Sequence, residues 1–421
     1  MKTISAKRVA LALFVITAVI IGGIPIANAL FGKSIKDYAL WFDTGQRVLH
    51  GASIYPMQKG KFPFMYPPPA ALMLAPISLL GKTGVVVVLV LVNVAAWWAS
   101  IFLSLRLTSG ETRPRNPLLY LAPSLLVIVF IWSNFHLGQP SILLLALMLA
   151  AFLALQKEKQ IAAGALIAVA AAIKAFPVIT IVYLIYRRSW IATASLLLAL
   201  ALLLFIVPAP IRGFAQARAD LQKWTQGMLL KYNDRGLAQR PGRSNSWKNQ
   251  SIFGLANRTL RHVDADEQYH AHTPFYANIA DVSFRTVNGV ILCVGLVLGS
   301  VYLAVMPRRR RRTEETDAIE FALLILLLLL FTPLAFGYLF VMLLFPFTVI
   351  LQRLLSEPSR ALWICSALAL FLLTLSVPFQ VTAQSYGNYF FATLLLFLGL
   401  AAELWKLKRA GLTSAGEQSS P

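Results

Sequence analysis

Apolar and polar residues fall along this chain in long blocks. Twelve blocks are apolar enough to be read as membrane helices, at 9–30, 84–105, 117–134, 140–155, 161–173, 177–186, 190–209, 286–306, 318–335, 338–355, 361–378 and 389–405. A spanning helix takes about 20 apolar residues, fewer where neighbours shield a short one. The pattern therefore predicts an all-α polytopic membrane protein with about 12 transmembrane helices. Blocks 161–173 and 177–186 are too short to cross alone, so a broken or re-entrant hairpin is expected around Lys174 and Pro177.

Composition agrees with this class. Charged residues make up 13% of the chain and hydrophobic ones 58%, against roughly 25% charged in soluble domains. A net charge of +21 would suit nucleic acid, yet the basic residues sit in short clusters between apolar blocks, the positive-inside pattern. The clusters are Lys2, Lys7 and Arg8; Arg106, Arg113 and Arg115; Lys157 and Lys159; Arg187 and Arg188; Arg308 to Arg312; Arg353 and Arg360; and Lys406, Lys408 and Arg409. Placing them all inside puts both termini in the cytoplasm, in the plasma (inner) membrane, with no nucleic-acid partner. Cys293 and Cys365 lie within apolar blocks and form neither a disulfide framework nor a CxxC motif. Residues 1–29 also carry signal-peptide features ending at Ala27-Asn28-Ala29, with an apolar core longer than the usual 7 to about 15 residues.

This topology makes residues 1–421 one integral-membrane domain, with outer segments at 31–83 and 210–284 and a cytoplasmic tail at 406–421. All five histidines, His50, His136, His262, His270 and His272, map outside with Asp37 and Asp43. Helix breaks at 138–140, 174–177 and 332–337 fall on that side too. Irregular backbone near a bilayer survives only where protein or a water-filled cavity covers it, so these breaks are expected to line one outward cavity.

Candidate chemistry concentrates in residues 37–69, DYALWFDTGQRVLHGASIYPMQKGKFPFMYPPP. Asp37 or Asp43, among Tyr38, Trp41 and Phe42, suits a general base acting on a hydroxyl. On spacing alone an interfacial ion pair with Lys33, Lys36 or Arg47 is the commoner use of such carboxylates, of Asp43 more than Asp37. Tyr66-Pro67-Pro68-Pro69 fixes extended backbone before a short apolar run, Ala70 to Leu80, expected as a juxtamembrane helix. Lys174 could meet a phosphate at membrane depth or snorkel to the interface. In the basic outer segment, Asn249-Gln250-Ser251 opens a short amphipathic helix, and Arg258 could clamp a phosphate with its planar fork. NQS and NRT also match glycosylation sequons.

Three motifs carry little. Gly81-Lys82-Thr83 lacks the first glycine of a phosphate loop, Pro76 standing in its place. His270 and His272 with Asp264, Asp266 and Glu267 lack a helical metal-ligand spacing. Arg308 to Arg312 reads as a topology anchor.

In order, Asp37, Gly51, Tyr55, Tyr66-Pro67-Pro68-Pro69 and the run from Ala70 to Leu80 resemble the signature of glycosyltransferase family 87, within the GT-C superfamily. HLGQPSILLLAL at 136–147, AAGALIAVAAAIKAFPVITIVYLIYRRSW at 162–190 and NQSIFGLANRTL at 249–260 agree with the same family. The resemblance implies a GT-C-like fold and transfer of a hexose, mannose foremost, from a polyprenol-phosphate sugar to a lipid or glycan hydroxyl, with inversion. It implies no metal or other cofactor. It places the catalytic role on Asp37, and donor or phosphate binding on Lys174, Arg258, Gln139 and Tyr66. Asp43, His136, Asn249, Gln250, Ser251 and Tyr338 are implied substrate contacts. Beyond residue 320 the chain departs from the family's late histidine pattern, carrying Pro333-Leu334-Ala335-Phe336-Gly337-Tyr338 instead, which implies a different acceptor or sugar. The competing readings are a transporter or flippase of lipid-linked saccharides, expected to show repeated halves and midplane sites, and an inactive relative that binds a lipid-linked glycan.

Overall fold

The computed structural model describes residues 6–56, 63–109, 116–230, 245–266 and 273–417. Lys2, Arg113, Arg115, Lys231, Arg235, Arg240, Arg243, Glu267, His270 and His272 lie outside the described residues. Among those described, the regular elements are all helical.

The helices are α1 (Ala6–Leu30), α2 (Asp37–Leu49), α3 (Pro68–Ser78), α4 (Gly81–Ser109), α5 (Leu118–Leu126), α6 (Ile128–Leu137), α7 (Ser141–Gln156), α8 (Gln160–Ile173), α9 (Thr180–Tyr186), α10 (Trp190–Ala201), α11 (Pro208–Arg212), α12 (Phe214–Trp224), α13 (Ile252–Leu260), α14 (Phe284–Val305), α15 (Glu314–Phe331), α16 (Leu344–Ser356), α17 (Arg360–Thr374), α18 (Gln380–Ser385) and α19 (Asn388–Glu417). They form two compact units, one through residue 231 and one from residue 232 that also takes in Thr108–Gly110.

All twelve expected segments are helical, but the number of crossings is smaller by length. Six helices are long and apolar enough to span, or seven if the bent pair α5 and α6, angled at 64°, counts as one. The remainder are short or, in α15, carry Glu314, Glu315, Asp317 and Glu320 in the first two turns. The long spans carry the outward side chains of lipid-facing helices: Leu197, Leu198 and Phe205 on the α10 span, and Leu292, Leu296 and Val297 on α14, are all exposed.

Two of the segments between apolar blocks are more ordered than the apolar pattern shows. Residues 37–49, part of the segment 31–83 that the apolar pattern leaves outside its helices, form α2. Tyr38, Trp41, Thr44, Gly45 and Val48 bury one face, a spacing of three and four that keeps them on one side of the helix. Asp37 in the first turn complements the positive end of the helix dipole. The short apolar run is helical as α3, with proline in its first turn, where the missing N–H costs nothing. It packs on α2 so closely that a Cβ on Gly45 would sit 2.7 Å from the Leu74 carbonyl oxygen. The basic segment after 210 contains α11, α12 and α13.

In the second unit, a buried arginine ties three helices. Arg353 on α16 pairs with Glu315 on α15, with Glu357, and with Glu403 on α19 at 2.6 Å. Arg353 and Glu403 are both buried, so this cluster rests on mutual compensation of charge.

Candidate active site

In the first unit, two hydrogen bonds fasten α2 to the corner that ends α6. The Tyr38 hydroxyl donates to the Phe135 carbonyl at 2.7 Å, and Trp41 Nε1 donates to the Gly138 carbonyl at 2.6 Å. Gly138 adopts φ 72°, and a Cβ there would meet the Tyr38 ring at 2.9 Å, so only glycine fits this corner. Burial raises the Tyr38 phenol well above its ordinary pKa, leaving it a permanent donor.

The corner delivers Gln139 to Asp37. Gln139 Nε2 donates to Asp37 Oδ2 at 2.6 Å, while Gln139 Oε1 accepts from the Tyr66 hydroxyl at 2.7 Å. Asp37 and Tyr66 are half-buried and Gln139 is buried. Lys174, in extended conformation where α8 stops, places a buried Nζ 5.7 Å from the centre of the Tyr66 ring. The Asp37 carboxylate lies close enough to act on that ammonium electrostatically. Four residues read from the sequence, Asp37, Tyr66, Gln139 and Lys174, thus converge, with Gln139 holding the carboxylate.

Behind them opens a cavity of about 220 Å³ whose lining includes Trp41, Tyr66, Leu74, Asn93, Gln139 and Leu143. Gly138 and Pro140 also line it, so the break at 138–140 borders the cavity, and Ile173, the last residue of α8, lines it as well. Its walls are mostly apolar, with the polar side chains of Tyr66 and Gln139 facing both the cavity and each other. Asp43 is exposed and lies six residues along α2, about 240° around the helix from Asp37. It takes no part in this chain of contacts. His136 is half-buried and stacks on Trp132, with ring centres 4.8 Å apart.

The second unit holds the remaining expected site residues, and there they bind backbone. Asn249 Nδ2 donates to the Pro333 carbonyl at 3.0 Å, and its Oδ1 accepts from the Ala335 amide at 3.0 Å. Ser251 Oγ donates to Pro333 and caps α13 by accepting from the Gly254 amide. Gln250 Nε2 donates to the carbonyls of Trp247 and Gln384, each at 2.7 Å. Arg258, 0% exposed, donates to the carbonyls of Ser385 (2.6 Å), Asn249 (2.5 Å), Gln384 (2.8 Å) and Ser246 (3.3 Å). Burial draws its guanidinium down to about 9, still cationic at neutral pH. The expectation of a phosphate clamp thus meets a side chain whose fork is closed around carbonyls. The triplet Asn249-Gln250-Ser251 likewise serves as a clasp on the break at 332–337. Asn249 and Asn257, the two sequon asparagines, are buried. Tyr338 is half-buried beside Phe336.

Phe64, whose ring packs against Trp41, Tyr55 and Tyr66, was not named from sequence, and Tyr38 and Trp41 were named only as aromatic neighbours of the carboxylates. The i, i+3 spacing of Tyr38 and Trp41 was the available signal.

A half-buried carboxylate held by an amide, with an ammonium and an apolar cavity nearby, sits on a multi-helix membrane scaffold. The model of glycosyltransferase family 87 matches residues 64–333, and the chain belongs to that family. Among curated proteins it is 33% identical over 145 residues to a polyprenol-phosphate-mannose-dependent alpha-(1-2)-phosphatidylinositol pentamannoside mannosyltransferase from Mycobacterium tuberculosis (strain CDC 1551 / Oshkosh). That alignment covers 33% of this chain and 32% of the relative, so the chain matches about a third of the relative's length. No solved structure matches.

Proposed function

We propose that the chain transfers a hexose, mannose foremost, from a polyprenol-phosphate sugar to a hydroxyl of a lipid or glycan acceptor. The transfer takes place on the extracytoplasmic face of the plasma membrane, in a GT-C-like scaffold of twelve spans with both termini cytoplasmic. The name of the mycobacterial relative supports the donor class. The observation that carries the reading is the Tyr66–Gln139–Asp37 chain at the mouth of an apolar cavity.

In this reading the acceptor oxygen bonds to the anomeric carbon as the bond from that carbon to the phosphate oxygen breaks. Asp37 takes the acceptor's proton, and the phosphate leaves with the bonding electrons. Lys174 neutralises the charge that develops on the leaving phosphate, commonly the largest electrostatic contribution. A single displacement inverts the anomeric centre, and the scheme assigns no metal or other cofactor. Arg258 has no part in it, because its donors are engaged by backbone.

Purified protein given radiolabelled polyprenol-phosphate-mannose and a membrane lipid extract is expected to form a labelled glycolipid. Asp37→Asn should lower transfer by about 10²–10⁴, the usual contribution of a general base, while Asp43→Asn stays near wild type. Full activity of Asp37→Asn would remove Asp37 from the chemistry.

A further inference from the structure

The helices α11 and α12 carry charge that the chemistry above does not use. Arg212 closes α11, and Gly213, at φ 76°, turns the chain directly into α12. Arg212 Nε and Nη2 both donate to Asp220 Oδ2, at 3.0 and 2.9 Å, and Gln216 Nε2 donates to Asp220 Oδ1 at 2.8 Å. The two charged side chains are 2% and 1% exposed.

The pair also reaches out of its own corner. Arg212 Nη2 donates to the Ala52 carbonyl at 2.7 Å, and Lys223 Nζ to Ser53 Oγ at 3.3 Å. Farther along, Trp224 Nε1 donates to the Met65 carbonyl at 3.3 Å. These bonds hold the segment before Tyr66 at both ends. Within that segment Tyr55, 2% exposed, donates its hydroxyl to the Tyr66 carbonyl at 2.6 Å. Tyr66 then donates to Gln139, and Gln139 to Asp37.

We infer that Arg212 and Asp220 are positioning residues for the transfer reaction, acting as a strap that sets Tyr66 and, through Gln139, the Asp37 carboxylate. The inference rests on the function proposed above. Neither residue is among those lining the cavity, and the effect is exerted through the backbone at Ala52 and Met65. Burial, and then the Asp220 carboxylate, raise the Tyr55 phenol above its ordinary pKa, which keeps its hydroxyl a donor to Tyr66. Arginine is required at 212 because its planar fork serves a carboxylate and a carbonyl at once, whereas a lysine offers one compact charge.

The test is Arg212→Lys, with Asp220→Asn beside it, in full-length detergent-purified protein. Arg212→Lys should keep its melting temperature and donor KM while kcat falls about tenfold to a hundredfold, since a shift of about 1 Å at the reacting centre has effects of that order. Amide exchange across residues 52–56 and 63–66 should quicken in both variants, with or without substrate. Unchanged kcat with a lowered melting temperature would make the pair a brace only and overturn the inference. Unchanged exchange across 63–66 would overturn it as well. A wild-type protein that transfers nothing from the mannose donor removes the donor reading, and the exchange measurement still decides the strap.

Discussion

Gln139 does more than its place in the motif suggests. Its two amide ends are used in opposite senses, the nitrogen holding a carboxylate and the oxygen held by a phenol. A hydrogen bond to a charged group contributes about 1.5–3 kcal/mol, a neutral one about 1. Gln139→Leu is therefore expected to lower kcat by about tenfold to a hundredfold, and Tyr66→Phe by only about fivefold. Steady-state kinetics at saturating donor read this directly. A Tyr66→Phe variant more damaged than Gln139→Leu would mean that the tyrosine contacts substrate itself, not through the amide. At this scale the sequence was legible for identity: Asp37, Tyr66, Gln139 and Lys174 could be named. It was silent on the role of Gln139, because a glutamine at a helix break offers the same letter whether it binds a ligand or a neighbouring carboxylate.

Among elements, the breaks in the helices are held by side chains from elsewhere in the same unit. Asn249 and Ser251 grip the break near Pro333, and Arg258 collects four carbonyls from two turns. Arg258→Met would remove all four bonds; the Gln384 carbonyl keeps Gln250 Nε2 and the Ser246 carbonyl keeps the Asn249 amide, while a carbonyl left buried with no donor costs about 1–3 kcal/mol. A loss of about 3 kcal/mol or more is expected, seen as a large fall in detergent melting temperature. Arg258→Met that is stable yet fails only to bind donor would restore the phosphate role. The apolar blocks announced where the long helices lie, since twenty apolar residues in a row have few other uses. They were blind to α2, whose apolar face is built from Tyr38, Trp41 and Val48 among polar neighbours, and to α12, whose packing depends on the buried Arg212 and Asp220 pair.

For the whole molecule, the sidedness of the loops separates the possible topologies. Twelve spans place His50 and His136 outside and Glu158 and Arg310 inside, and a re-entrant α8–α9 hairpin leaves these four assignments unchanged. Seven spans, counting only helices long enough to cross with the α5–α6 pair as one, put all four residues on one side. Six spans, with that pair not crossing, put His136 with Glu158 and Arg310, opposite His50. Length favours the smaller numbers, whereas the basic clusters favour twelve, because seven spans put Lys157, Lys159 and Arg308 to Arg312 outside and six put Arg360 outside. Single cysteines at the four positions, in a protein whose Cys293 and Cys365 are replaced by alanine, can be reacted with a membrane-impermeant maleimide on intact cells. Labelling of His50→Cys and His136→Cys, with Glu158→Cys and Arg310→Cys reacting only after permeabilisation, is the expected result. Labelling of all four from outside would leave α7 and the shorter helices as packing within the membrane, and Asp37 would then share its face with the arginine cluster.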